Sequence, residues 1–232
     1  GNRMKKHKLV FKDHKDAGSK EQWLQKEIKD CNHGYHIPGV NTFFPMNFAN
    51  KKVIAVDIGA NVGSFCIYAS SYFDKIYAFE AVHNTYQVAK ENISSINNVE
   101  LYNLAVAASD DEILELAAHS SNLSGDTSIF NVSQAQEDEV EKCKTISLEG
   151  IYKKIGLNYI DYLKVDCEGS EYDFLMGKDL SAINYFVMEI HPGYLGKDKA
   201  KELLLYLNKY FILNYTIGEH ILFYRSKLPH AS

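Results

Sequence analysis

The 232-residue sequence predicts an α/β fold: a mostly parallel sheet with helices on both faces, closed by a C-terminal antiparallel hairpin. Three observations predict it. From Lys51 onward, short runs that are apolar on both faces alternate with helical stretches, as in strands covered on both sides. The first run, residues 53–59 (VIAVDIG), ends in an acid and a glycine just where a helix begins. The last two runs, residues 211–217 and 220–225, are separated only by Gly218-Glu219, which is hairpin spacing.

Taken in order, residues 19–30 (SKEQWLQKEIKD) read as a helix, with Ser19 as candidate N-cap and Trp23, Leu24 and Ile28 as its apolar stripe. Gly34, Pro38, Gly39 and Pro45 then break the chain. Residues 1–50 are therefore expected to form a helical and loop-like attachment, and residues 51–232 the main domain. Strand 53–59 leads into a helix over 62–73, strand 75–81 (KIYAFEA) into a helix over 84–96, and residues 99–106 form a third strand. Residues 110–144 are less regular. A short strand is expected at 113–117, and 120–141 is a polar, mobile excursion, either a lid or a plain insertion. A helix at 147–155, a fourth strand at 159–165, a helix at 170–176, a fifth strand at 185–190 and a helix at 198–210 precede the hairpin.

Bulk properties narrow the function. At 46% hydrophobic and 12% aromatic residues the chain buries a core, which excludes disorder. A net charge of −5 supplies no global attraction to nucleic acid, so no nucleic-acid partner is expected. The lysines near the start (Lys5, Lys6, Lys8, Lys12, Lys15) read as a solvated tail. The four cysteines, Cys31, Cys66, Cys143 and Cys167, match no zinc spacing, and Cys66 and Cys167 sit in apolar segments. Together with the lack of a bilayer-length apolar run or a signal peptide, this leads to an expected cytoplasmic location. Oligomeric state is not legible.

The turn Asp57-Ile58-Gly59-Ala60-Asn61-Val62-Gly63-Ser64 carries the first chemical signal. Glycines let the backbone turn sharply and a ligand approach, while the new helix offers free N–H groups. The dinucleotide fingerprint G-x-G-x-x-G fails here, because Asn61 and Ser64 occupy two of its three glycine positions. Asp57 would repel a pyrophosphate and suit the ammonium of an amino-acid moiety. Glu80 follows 80 − 57 = 23 residues later, where an acid can accept both ribose hydroxyls. Ammonium, ribose and adenine together describe S-adenosylmethionine. The plain alternative is a tight connection that holds no ligand.

A second constellation ends the fourth strand: Lys164-Val165-Asp166-Cys167-Glu168-Gly169-Ser170-Glu171. Strand alternation places Lys164, Asp166 and Glu168 on one face, at the end of the sheet where α/β ligands bind. Glu171 falls in the first turn of the next helix. The fifth strand ends in Glu189-Ile190-His191-Pro192. The structural alternative is an internal ion-pair network in which Lys164 neutralises Asp166 or Glu189.

These residues resemble the FkbM family of class I methyltransferases. The matching stretches are VDIGANVGSF (56–65), YAFEAVHNTYQVAKENI (77–93), NLAVAASD (103–110), LKVDCEGSEYDFLMG (163–177) and MEIH (188–191). Ala81 stands where the family commonly has proline, and Leu148-Glu149 where it often has Leu-Asp. The resemblance implies a Rossmann-like seven-stranded sheet, S-adenosylmethionine as cofactor, and methyl transfer to an oxygen, often on a sugar or a natural-product-like molecule. It implies a cofactor set of Asp57, Gly59, Ala60, Asn61, Gly63, Ser64, Glu80 and Ala81, with Asn103 and Ala105 after the third strand. The catalytic candidates are Asp166 and His191 as alternative bases, Lys164 for charge balance, and Glu168 and Glu171 shaping the site. A divalent metal at Asp166 with Glu189 is an open alternative to a base. Two rival functions are a catalytically silent cofactor-binding scaffold and a nicotinamide-dependent oxidoreductase, the latter disfavoured by Asn61 and Ser64.

Overall fold

The computed structural model describes residues 52–117, 140–167 and 169–228. The attachment, its helix at 19–30, residues 118–139 of the polar excursion, and Glu168 lie outside the described residues.

The first half alternates as the pattern requires: β1 (Ile54–Ile58), α1 (Ser64–Ala69), β2 (Lys75–Phe79), α2 (His83–Asn92) and β3 (Val99–Tyr102). Next come β4 (Ala105–Val106), β5 (Ile113–Ala117), β6 (Val140–Ile146) and α3 (Leu148–Ile155). The second half contains β7 (Ile160–Val165), α4 (Glu171–Leu175), β8 (Ile183–Glu189), α5 (Pro192–Leu195), α6 (Lys197–Leu207), β9 (Phe211–Ile217) and β10 (Ile221–Ser226). Seven strands form one sheet in the order β3-β2-β1-β7-β8-β10-β9. β1, β2, β3, β7 and β8 run parallel, while β10 is antiparallel to both β8 and β9. This is the Rossmann-like methyltransferase fold expected from the sequence.

Every residue of β1 and β7 is buried, because the two strands lie at the centre with helices on both faces. Alternation along β1 sends Ile54, Val56 and Ile58 into one core cluster and Ala55 into the other, which holds Phe65, Phe73 and Tyr162. The helix ends follow local chemistry. Ser147 caps α3 by accepting the Gly150 N–H at 3.0 Å, and Gly156 ends it in the left-handed region at φ 68°.

The structure corrects four expectations. The third strand is split: β3 ends at Tyr102, and Ala105–Val106 belongs to a separate three-stranded sheet of order β4-β6-β5. β6, which falls across the end of the expected excursion, is a full strand paired antiparallel to β5. The expected helix at 62–73 is shorter, because Gly63 in the left-handed region starts it at Ser64. A further short helix, α5, precedes α6, and Gly196 separates the two.

Candidate active site

The glycine turn lies at the C-terminal edge of the sheet between β1, β2 and β7. Both Gly59 N–H and Ala60 N–H donate to the Phe79 carbonyl at 3.0 Å, so the turn is tied down onto β2. Gly59 has φ +78°, and a Cβ on it would lie 1.7 Å from the Asp166 carbonyl oxygen. The glycine is needed because the exit of β7 presses against it, a tighter constraint than the ligand approach inferred from the sequence. The Asp166 N–H donates to Ile58 O at 3.0 Å, which completes the contact between the turn and the second constellation. Gly63, at φ +86°, precedes α1, and Ser64 is buried at the start of that helix.

Glu80 is buried beside this turn. Its Oε2 accepts the Asn61 N–H at 2.7 Å and its Oε1 the Val82 N–H at 2.9 Å. Burial pushes the Glu80 carboxyl up to about 7, against the opposing pull of those two N–H groups and of Lys164. Asn61 adopts φ 51°, a left-handed conformation that asparagine tolerates. Its Oδ1 is buried with no hydrogen-bond partner among the described residues. Asn103 braces the end of β2, its Nδ2 donating to the carbonyls of Glu80 at 2.9 Å and Ala81 at 3.0 Å. That brace takes residue 103 out of the β3 ladder and separates β3 from β4, where Ala105 is buried. His83 lies against Asn103, with Nδ1 at 3.1 Å from Oδ1.

Asp57 has a partner that its position in the sequence does not suggest. It is 0% exposed, and its carboxylate meets a cation of the protein itself: Lys164 Nζ lies 2.9 Å from Oδ1. The geometry at Oδ1 is that of an ion pair without an aligned hydrogen bond, while Cys66 Sγ donates to Oδ2 at 3.3 Å. Asp57 is thus held within the protein by Lys164 on one oxygen and Cys66 on the other. Parallel register explains the pair. Asp57 stands opposite Lys164 across β1 and β7, so both side chains emerge on one face at the same level. Lys164 Nζ also donates to Gly59 O at 2.9 Å, so it supports the turn from beneath. Lys164, expected to neutralise Asp166 or Glu189, has Asp57 as an ion-pair partner in the structure.

The remaining charges gather at the rim. β7 ends at Val165, so Asp166 leads out of the sheet. β8 ends at Glu189, and His191 starts the short helix α5. His191 Nε2 lies 3.8 Å from Asp166 Oδ1 and 3.8 Å from Glu189 Oε1, with side-chain exposures of 16%, 27% and 33% for His191, Asp166 and Glu189. On the other side of the ring, Nδ1 is 2.9 Å from Oε1 of the fully buried Glu171, in the first turn of α4. Nδ1 faces Glu171 and Nε2 faces the rim, so a neutral imidazole protonated on Nδ1 would present its Nε2 lone pair there. The hairpin helps to position this edge: Ile190 N–H donates to His220 O at 2.9 Å, and Ile221 pairs with Glu189.

A family profile described as the methyltransferase FkbM domain matches residues 57–215, more than half the chain. The chain belongs to the FkbM methyltransferase family. The match includes both constellations, from Asp57 through His191. A curated relative, the AMB antimetabolite synthetase AmbE of Pseudomonas aeruginosa, is 22% identical over 225 residues. The alignment covers 74% of this chain and 10% of the relative, so the FkbM chain spans about a tenth of that protein's length. Among solved structures, M. capricolum TrmK in complex with S-adenosyl-homocysteine is 11% identical with TM-score 0.45, covering 88% of this chain and 68% of that one. The precorrin-6y C5,15-methyltransferase of Geobacter metallireducens GS-15 is 11% identical with TM-score 0.44, covering 93% and 95%. The FkbM domain is thus an S-adenosylmethionine-dependent methyltransferase domain.

Within that domain, sequence reasoning singled out Glu80, Asp166, Glu171 and His191, and the structure gathers Asp166 and Glu171 around the His191 imidazole. It missed two features: the Asp57–Lys164 pair with Cys66, and the Asn103 brace.

Proposed function

We propose that this chain transfers the methyl group of S-adenosylmethionine to a hydroxyl oxygen of a sugar, glycan or small natural-product-like acceptor in the cytoplasm. The observation that supports this reading is the backbone contact between Gly59 and Asp166, which joins the cofactor turn to the charged rim. In the reaction the acceptor's O–C bond forms as the C–S bond breaks. The products are the methyl ether, S-adenosylhomocysteine and a proton. The sulfonium already leaves readily, so the protein's first contribution is alignment, worth about 7–11 kcal/mol. A hydroxyl must also shed its proton, and the rim is suited to this because Asp166 and His191 can each accept one. Such a base contributes about 10²–10⁴-fold. The cytoplasmic assignment rests on the free thiols of Cys66, Cys143 and Cys167. No helix among the described residues is long and apolar enough to cross a membrane.

The deciding experiment incubates the protein with methyl-labelled cofactor and a panel of glycans, lipid-linked sugars and hydroxylated metabolites, alongside calorimetric titration with S-adenosylhomocysteine and NAD. S-adenosylhomocysteine binding with label transfer to one acceptor class is the expected result. Binding without transfer to any acceptor would favour the silent scaffold, and binding of NAD alone the oxidoreductase.

A further inference from the structure

The rim trio has a geometry that proton transfer alone does not require. His191 Nε2, one oxygen of Asp166 and one oxygen of Glu189 lie within 4.8 Å of one another and come from the ends of two adjacent strands. The two 3.8 Å separations from Nε2 exceed hydrogen-bond length, yet the three atoms converge. Three atoms spaced this way surround a point roughly 2.2–2.5 Å from each, which is the bond length of a divalent cation to oxygen and nitrogen ligands. The second, independent observation lies behind the ring. Glu171 is fully buried with Oε1 2.9 Å from His191 Nδ1, and its Oε2 is buried without a hydrogen-bond partner among the described residues. A carboxylate behind the imidazole sets its tautomer and orientation and raises its basicity, as in the outer shell of many histidine metal sites.

Building on the reading above, we infer that Asp166, Glu189 and His191 hold a divalent cation that binds the oxygen to be methylated, with Glu171 as the positioning residue for His191. Two carboxylates and one imidazole at this spacing suit a manganese-like ion rather than magnesium, which needs about 2.0–2.1 Å, and three protein ligands leave positions open for the acceptor. The open positions of a six-coordinate ion, about three, admit an acceptor that offers two neighbouring oxygens, such as a vicinal diol of a sugar. The cation stabilises the alkoxide, and its proton leaves to solvent. The alkoxide oxygen then forms the O–C bond as the C–S bond breaks. Asp166 and His191 are then ligands rather than proton acceptors.

The test uses the full chain without a tag, stripped with EDTA, dialysed and titrated with Mn²⁺ by electron paramagnetic resonance. One saturable Mn²⁺ per chain is expected, with electron spin-echo modulation from a single imidazole nitrogen. Both signals should vanish in His191→Gln and in the Asp166→Asn/Glu189→Gln double variant. Glu171→Gln should weaken Mn²⁺ about 10–100-fold. S-adenosylhomocysteine affinity, measured on each variant, reports that the fold is intact. Absence of saturable Mn²⁺ binding, or a site that survives the double variant, overturns the inference. Such a result leaves the methyltransferase reading standing, because that reading fails only if S-adenosylhomocysteine does not bind.

Discussion

At the scale of single residues, surroundings decide what a conformation costs. Gly59 and Gly218 both have positive φ, +78° and +58°, yet a Cβ would strike the Asp166 carbonyl at 1.7 Å in the first case and meet nothing within 4 Å in the second. Gly218→Ala should cost about 1 kcal/mol from backbone strain alone. Gly59→Ala should cost more than ~3 kcal/mol, because the exit of β7 must also move. Urea unfolding of the two variants side by side measures the difference, and equal losses would show that the close approach is not decisive. The buried Asp57–Lys164 pair obeys a similar logic. Lys164→Met leaves a buried carboxylate without its cation and should cost about 3–5 kcal/mol, while adding Asp57→Asn should restore part of that loss. Glu80 carries a pH signature. Its carboxyl sits near 7 when folded, and ribose hydroxyls donate to the ionised form, so binding the cofactor draws the proton off. Affinity for S-adenosylhomocysteine should therefore fall about tenfold from pH 8 to pH 6. In Glu80→Gln it should be weak and flat over that range. A wild-type affinity independent of pH would remove Glu80 from the ligand. The same raised value works against the free protein: Glu80's contribution to stability is undiminished below about 4.5 and declines as pH rises through about 7.

At the scale of elements, most strands and helices were legible because their periodicity is local. Two-sided apolar runs marked β1, β2, β7 and β8, and the helix expected at 147–155 is α3, capped by Ser147 and ended by Gly156. Ser147→Ala removes the acceptor for the Gly150 N–H and should lower stability by about 1 kcal/mol in a thermal melt. β6 was missed because its charges, Glu141, Lys142 and Lys144, mask the inward positions Cys143 and Thr145. Its pairing with β5 supplies what its own sequence only hints at. The split between β3 and β4 was illegible for another reason. Asn103 leaves the ladder to donate to two carbonyls more than 20 residues earlier in the chain, and no local window contains that partner.

At the scale of the whole molecule, the sheet order brings the two constellations together. β1 and β7 are neighbours although more than 100 residues separate them, and only that adjacency sets Gly59 against Asp166 and Asp57 against Lys164. Ligand binding should report this division of labour. S-adenosylhomocysteine at 100 times its Kd should stabilise the folded protein by about 2.7 kcal/mol. Asp166→Asn should keep that stabilisation and lose label transfer, while Glu80→Gln should lose both. Loss of the stabilisation in Asp166→Asn would show that the rim belongs to the cofactor rather than to the acceptor.

By itself, the sequence determined the fold class, the strand–helix alternation of the main sheet, the terminal hairpin and the identities of the charged residues at the strand ends. Those follow from periodicity and turn chemistry, which act over a few residues. Tertiary structure alone decided the partners: Lys164 with Asp57 and beneath the turn, Cys66 on the same carboxylate, and Glu171 behind His191. Register between strands distant in the chain is set by packing of the whole sheet, so the acid beside the glycine turn could be recognised from its sequence, but its partner could not.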